Sequence, residues 1–363
     1  MRPSSWRSIA LLAALLLARP QQPEWKRVEP GLELAFPADH GAHPAYRTEW
    51  WYVTGELADD AGARFGFQFT VFRQGLTPGP ARAGESPLRA RQVYAGHLAL
   101  TDVAREETRF AERLRRASPL AVASTTDLAL TLEDWSLRRE SGDRLALAAG
   151  DPPQDFGLEL ELKPAKPLVL HGERGYSWKG GEPGNASAYV SWTRLECKGR
   201  LRTGGRELSV RGSAWFDHEF GSSVLPAGAA GWDWFGLRLD DGRELMLFTL
   251  RSSGGGPPVA AAGSLVARDG SARQLASGDF TLASRDTWKS RRTRAEYPAR
   301  WTIAVPSAAL ELDVVPLVDD CELVTTGSTG VVYWEGPVEV RGSSPGSGYA
   351  ELMGYAGSMS ERF

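Results

Sequence analysis

Asp217, His218 and Glu219 stand side by side within the stretch 212–236, among Trp215, Phe216, Phe220, Trp232 and Trp234. Ionisable groups set into aromatic surface are equipment for proton transfer, because burial favours the neutral form of a carboxyl and can bring its pKa toward neutrality. If 215–220 is a β-strand, its period of two places Trp215, Asp217 and Glu219 on one face and Phe216, His218 and Phe220 on the other. The same run also suits a plainer role, in which the polar groups close a strand and fix a loop through hydrogen bonds. For catalysis the candidates are Asp217 and Asp233 as acid and base, His218 as proton acceptor or orienting group, and Glu219 as a further carboxylate.

A second group spans 40–52, where His40, His43, Arg47 and Glu49 precede Trp50, Trp51 and Tyr52. In a strand Glu49 shares a face with Trp51, so its carboxylate can enter an aromatic-lined pocket; an Arg47–Glu49 pair at a barrel rim is the plainer alternative. Ligand-facing candidates are therefore Glu49, Trp51, Tyr52, Gln68, Phe220, Trp232 and Trp234. His40 and His43 lack the H-x-x-x-H spacing of a zinc protease and Pro44 opposes a helix, so no metal site is expected. His97 reads as a hydrogen-bonded core histidine, and the acids and rings of 333–336 and 348–355 read as a closing strand. Neither a P-loop, a dinucleotide fingerprint nor a nucleophile elbow is present, so no cofactor is expected.

These side chains need rigid elements, and short apolar or alternating runs supply them at 50–54, 65–72, 93–100, 158–162, 189–194, 245–250 and 331–340. Hairpin chemistry punctuates the runs at 60–62, 141–143, 203–205, 241–242 and 269–270, where Gly or Asp takes the positive φ of tight turns. With 40 Gly and 23 Pro, the chain reads as an all-β sandwich or barrel. Phe65, Phe67, Phe69 and Val71 form one apolar face opposite Gln68, which fits a barrel with a ligand-sized interior. One helix is expected at 103–117, with Phe110 and Leu114 docking one side at i, i+4. A weak repeat links 51–73 with 232–251, each a Trp-rich strand followed by an Asp-containing hairpin, and suggests two copies of one barrel. The join is placed at 198–206, giving an N-terminal barrel over 24–203 and a C-terminal barrel over 206–363.

A length of 363 residues with 42% hydrophobic content suffices for two cores. The net charge of −3 comes from scattered residues and leaves no electrostatic footprint for nucleic acid. Arg2 and Arg7, the apolar run 9–17 and then Ala18 have the layout of a secretory signal, so residues 1–22 are expected to export the chain, or to anchor it near a membrane if uncleaved. The apolar run is too short to span a bilayer. Cys197 and Cys321 allow one disulfide or two free thiols. Oligomeric state stays open.

R-T-E-W-W-Y (47–52), F-D-H-E-F-G (216–221), W-D-W-F-G (232–236), Y-W-E-G-P-V (333–338) and G-Y-A-E-L-M-G-Y (348–355) occur in this order. On these motifs the chain, from about 37 to 355, resembles the AttH/CrtC-type superfamily of secreted hydrolase-like and carotenoid 1,2-hydratase-like proteins. The resemblance implies two tandem lipocalin-like β-barrels packed together and a hydrophobic small-molecule ligand, terpenoid- or lipid-like. It further implies metal-free water addition or hydrolysis, with a pure lipid or pigment carrier as the alternative. The hydratases of that group place a His in the segment matching 217–221, a Trp two residues later and a Tyr-x-Asp pair on the next strand. Here His218 matches, Phe220 replaces the Trp, and 245–250 offers no acid, so Asp233 is the substitute.

Overall fold

In the computed structural model of the chain, which describes residues 24–80, 84–86, 89–182, 184–223, 225–357 and 359, no α-helix occurs among the described residues. The expected signal segment lies outside them. A first sheet contains β1 (Thr48–Asp59), β2 (Arg64–Gly75), β3 (Gln92–Asp102), β4 (Glu107–Arg116), β5 (Ala121–Ala123), β6 (Ala129–Leu132), β7 (Trp135–Arg139), β8 (Leu145–Asp151), β9 (Phe156–Pro164), β10 (Val169–Leu170), β11 (Tyr176–Trp178), β12 (Ala186–Thr203) and β13 (Arg206–Gly221). The second contains β14 (Ala229–Leu239), β15 (Glu244–Ser252), β16 (Ala260–Val266), β17 (Ala272–Ala276), β18 (Thr281–Lys289), β19 (Glu296–Val305), β20 (Leu310–Pro316), β21 (Glu322–Val324), β22 (Val332–Gly342) and β23 (Gly346–Met353).

Each sheet begins with an antiparallel meander of four strands, and its last strand returns to pair with its first, β13 with β1 and β23 with β14. This shared order makes the molecule two lipocalin-like barrels. The sheets divide between Gly221 and Ala229, downstream of the expected join. Thr203–Arg206 is instead the turn of a long β12–β13 hairpin, with Gly204 and Gly205 at φ of 58° and 71°.

The segment expected to be a helix is an edge strand. β4 pairs with β3 along its whole length after a tight turn that sets Glu106 at φ 52°. A spacing of four is also an even number, so Phe110 and Leu114 share a face in a strand as they would in a helix. Pairing with the open edge of β3 decides between the two.

Phe65, Phe67, Phe69, Trp135, Trp192 and Phe216 fill the first barrel, and Phe235, Trp301 and Trp334 with aliphatic side chains fill the second. Each barrel thus carries its own apolar core. Cys197 and Cys321 are free, buried thiols.

β1, β2, β3 and the second half of β13, from Ala214, are unlike ordinary barrel strands in being largely buried on both faces, because the second barrel covers their outer side. Tyr52, Tyr189, Trp215, Trp234, Met246, Phe248, Leu250 and Tyr349 form an aromatic cluster in that junction. Polar clamps flank it. Glu244 of β15 receives Lys166 Nζ at 2.7 Å and Arg194 Nε at 2.5 Å, while His97 bridges to Tyr333 Oη at 2.8 Å and Ser328 Oγ at 2.9 Å. His97 is thus the hydrogen-bonded core residue expected of it. Close backbone approach is built in at Gly212, where a Cβ would overlap the Glu56 carbonyl of β1. Gly212→Ala is therefore expected to cost roughly 2 kcal/mol, read as a lower denaturant midpoint with an unchanged slope.

Candidate functional site at the barrel junction

Strand pairing assembles the junction in two rows. On the first barrel Ser191, Asp217, Tyr52, Thr70 and His97 are successive cross-strand neighbours on β12, β13, β1, β2 and β3. On the second, Glu335, Glu351, Trp234 and Phe248 are neighbours on β22, β23, β14 and β15. Directly opposed residues of one ladder have Cβ atoms about 5 Å apart, so Glu335 and Glu351 are a close pair of like groups.

The rows meet through hydrogen bonds. Tyr52 Oη donates to Glu335 Oε1 at 2.5 Å, and Glu351 accepts from the indole of Trp232. Asp217 accepts from Trp215 Nε1 at 2.6 Å, Tyr189 Oη at 3.0 Å and the Ser191 hydroxyl, while Trp234 Nε1 donates to Tyr189 Oη at 3.0 Å. Glu219 accepts from Ser187 and pairs with Lys179 Nζ at 2.8 Å; that ammonium also lies 4.5 Å from the centroid of the Phe248 ring. Gln68 Nε2 donates to Thr70 Oγ1 at 2.5 Å, and its Oε1 is buried without a partner in the chain.

Electrostatics follow from this burial. Desolvation pushes Glu351 up to about 8, with the charges of Asp217 and Glu219 adding to the rise and the Trp232 hydrogen bond opposing it. Glu335 is pushed well above the carboxylate range by burial first and by Glu351 second. Asp217 rises to about 7 from burial, against three hydrogen bonds that favour its charged form. Burial and the neighbouring carboxyls also keep the Tyr52 hydroxyl protonated, so it acts as a donor. Two close carboxyls that cannot both ionise provide an acid and a base from one pair.

Not every expected site residue comes to this place. Asp217, Glu219, Tyr52, Gln68, Trp232 and Trp234 do. Glu49, Trp51, His218 and Phe220 lie on the opposite faces of β1 and β13, at the mouth of the first barrel, so His218 and Asp217 cannot act on one substrate atom from adjacent positions of a strand. His218 Nε2 lies 2.9 Å from Glu49 Oε1, and its ring stacks on Trp51 at 5.0 Å. Arg73 Nε donates to Glu49 Oε2 at 2.7 Å, replacing the anticipated Arg47 partner. Burial alone would raise the Glu49 carboxyl, but the hydrogen bonds from His218 and His43 and the Arg73 charge hold it well below the usual range. Asp233 points into the second barrel, against Arg251 Nε at 3.1 Å and Tyr355 Oη at 3.0 Å; burial lifts it to about 6. The proposed Asp217–Asp233 pair is therefore split between two faces.

Glu335, Glu351 and Tyr189 went unassigned in the sequence. The available signal was an acid on the same alternate face as Tyr333 and Tyr349, in mostly buried strands. His43, Glu49 and His218 form a metal-competent group whose ligand atoms lie within 4.8 Å of one another. Two surface recesses of about 710 and 470 Å³ lie away from the junction, on exposed charged strands and beside Trp288.

The profile of the AttH-like family matches residues 27–355. An AttH protein from Nitrosomonas europaea, solved at 2.00 Å, is 36% identical, covering 91% of this chain and 99% of its own with a TM-score of 0.82. Kievitone hydratase from Nectria haematococca shares the fold at 13% identity, over 93% of this chain and 98% of its own, with a TM-score of 0.67. CghA with Sch210972 does so at 13% identity, over 89% and 97%, with a TM-score of 0.52. Among curated proteins none matches the sequence.

Proposed function

The chain belongs to the AttH-like family, and from that premise we propose that it adds water to, or removes it from, an apolar unsaturated small molecule held in the barrel junction. The observation that carries this reading is the Glu335–Glu351 pair, the first buried and the second partly buried, facing each other across β22 and β23 with Tyr52 bonded to Glu335. The fold shared with a hydratase makes water addition the first reaction to test.

The step balances within the pair. The protonated carboxyl gives its proton to one alkene carbon, and positive charge develops on the other. Tyr52, Trp215, Trp232 and Trp234 offer ring faces to that charge. The ionised carboxyl takes a proton from a water as its oxygen bonds to the cationic carbon, so the product has gained one water and the pair again holds one proton. Asp217 positions Tyr189 and Trp215 as walls of the site. Lys179, between Glu219 and Phe248, suits a polar end on an otherwise apolar ligand.

Access runs past the partly exposed Leu225, Val259 and Ala260, which pack against the aromatic cluster. Export, directed by residues 1–22, remains part of the proposal. Its test is turnover of unsaturated terpenoid, polyketide-like and phenolic compounds by wild type, Glu335→Gln and Glu351→Gln. A carrier would bind ligand equally well in all three and release it unchanged.

A further inference from the structure

We propose that His43, Glu49 and His218 form a divalent transition-metal site at the mouth of the first barrel, on the face of β1 and β13 opposite the junction. Glu49 Oε1 lies 2.8 Å from His43 Nδ1 and 2.9 Å from His218 Nε2. Two imidazoles and one carboxylate are a donor set that zinc takes with a fourth position left open. Bonds of about 2.0–2.1 Å would place the ligand atoms a little over 3 Å apart, so Glu49 needs to withdraw from each nitrogen by only a few tenths of an ångström, while the two imidazole nitrogens, within 4.8 Å of one another, draw together around the ion.

Outer contacts favour this arrangement. Asp39 Oδ1 lies 2.9 Å from His43 Nε2, the carboxylate–histidine contact that leaves the other ring nitrogen turned toward a metal. Carboxylate oxygens thus face both nitrogens of one ring, yet a neutral imidazole has a single N–H. One of the two contacts calls for a cation, either a second proton on the ring or a metal ion between His43 and Glu49. Arg73 occupies the far oxygen of Glu49, and its Nη2 holds the His43 and Tyr46 carbonyls at 2.9 Å each, so the near oxygen is fixed toward the histidines. Phe220 stacks on His43 at 3.5 Å and Trp51 on His218 at 5.0 Å, which orients both rings. The His43 side chain is 15% exposed while those of Glu49 and His218 are fully buried, so a metal enters past His43.

The test uses the full chain, stripped with a chelator and titrated with Zn²⁺ by calorimetry and elemental analysis. About one equivalent is expected, with affinity lowered about tenfold or more in Asp39→Asn and further in His43→Gln. Melting curves in chelator establish that both variants fold. Should His43→Gln fail to fold, Co²⁺ loaded into wild type is expected to give the visible bands of a low-symmetry site. Absence of stoichiometric Zn²⁺ and of those bands in wild type, or equal binding by wild type and a folded His43→Gln, would overturn the site and leave a metal-free hydrogen-bonded hub.

Discussion

Glu351→Gln is expected to melt roughly 5–10 °C above the wild type at pH 9 and close to it at pH 5. The sign follows from proton counting. Burial raises the carboxyl of Glu351 from 4.5 to about 8, so between these values the folded protein binds a proton that the unfolded chain releases. Stability then falls as pH rises through this window, and the loss is complete above about pH 8. At about 1.4 kcal/mol per unit the total is roughly 3–5 kcal/mol, shared with Glu335 because the two repel. Gln keeps the volume and can still accept from Trp232, but has no charge to bury. A structural carboxylate held by favourable partners gives the opposite result, a variant that is less stable at both pH values. The comparison needs no substrate, only thermal melts of two proteins at two pH values.

Turnover carries the second large effect. Glu335→Gln and Glu351→Gln are each expected to lower kcat by about 10²–10⁴-fold, because one removes the acid and the other the base of a single pair. Wild-type kcat is expected to rise as pH rises toward about 8, where Glu351 ionises to become the base while Glu335, held well above the carboxylate range by burial and by the Glu351 charge, keeps the proton of the acid. A gain in stability with a loss of activity is the pattern of a group kept for chemistry at a cost to the fold. A raised KM with kcat intact would instead assign the pair to uniform binding of ground and transition state.

Much of the architecture was legible in the chain because hairpin chemistry is local. The Asp-Gly and Gly-Gly turns and the alternation in 65–72 depend on neighbours a few residues away, and they hold in the structure. The edge strand β4 was misread because Phe110 and Leu114 satisfy both periodicities, and only the open edge of β3 decides between them. The site was less legible for a related reason. Alternation shows that Asp217 and His218 point apart, but not which face meets another barrel. Glu335 and Glu351 become a pair only through the β22–β23 register, and they reach Tyr52 only once the barrels pack, across 283 residues of sequence. His218 likewise joins His43 and Glu49 from 169 residues away, a grouping that the spacing of His40 and His43 does not reveal.

Incubating wild type and Glu351→Gln with unsaturated candidate substrates in heavy-oxygen water, and weighing the products by mass spectrometry, tests the central claim most directly. Water addition by the carboxyl pair predicts a product heavier by one labelled water from wild type and almost none from the variant. Equal labelling by both proteins, or ligand recovered unlabelled from a wild type that demonstrably binds it, would contradict it.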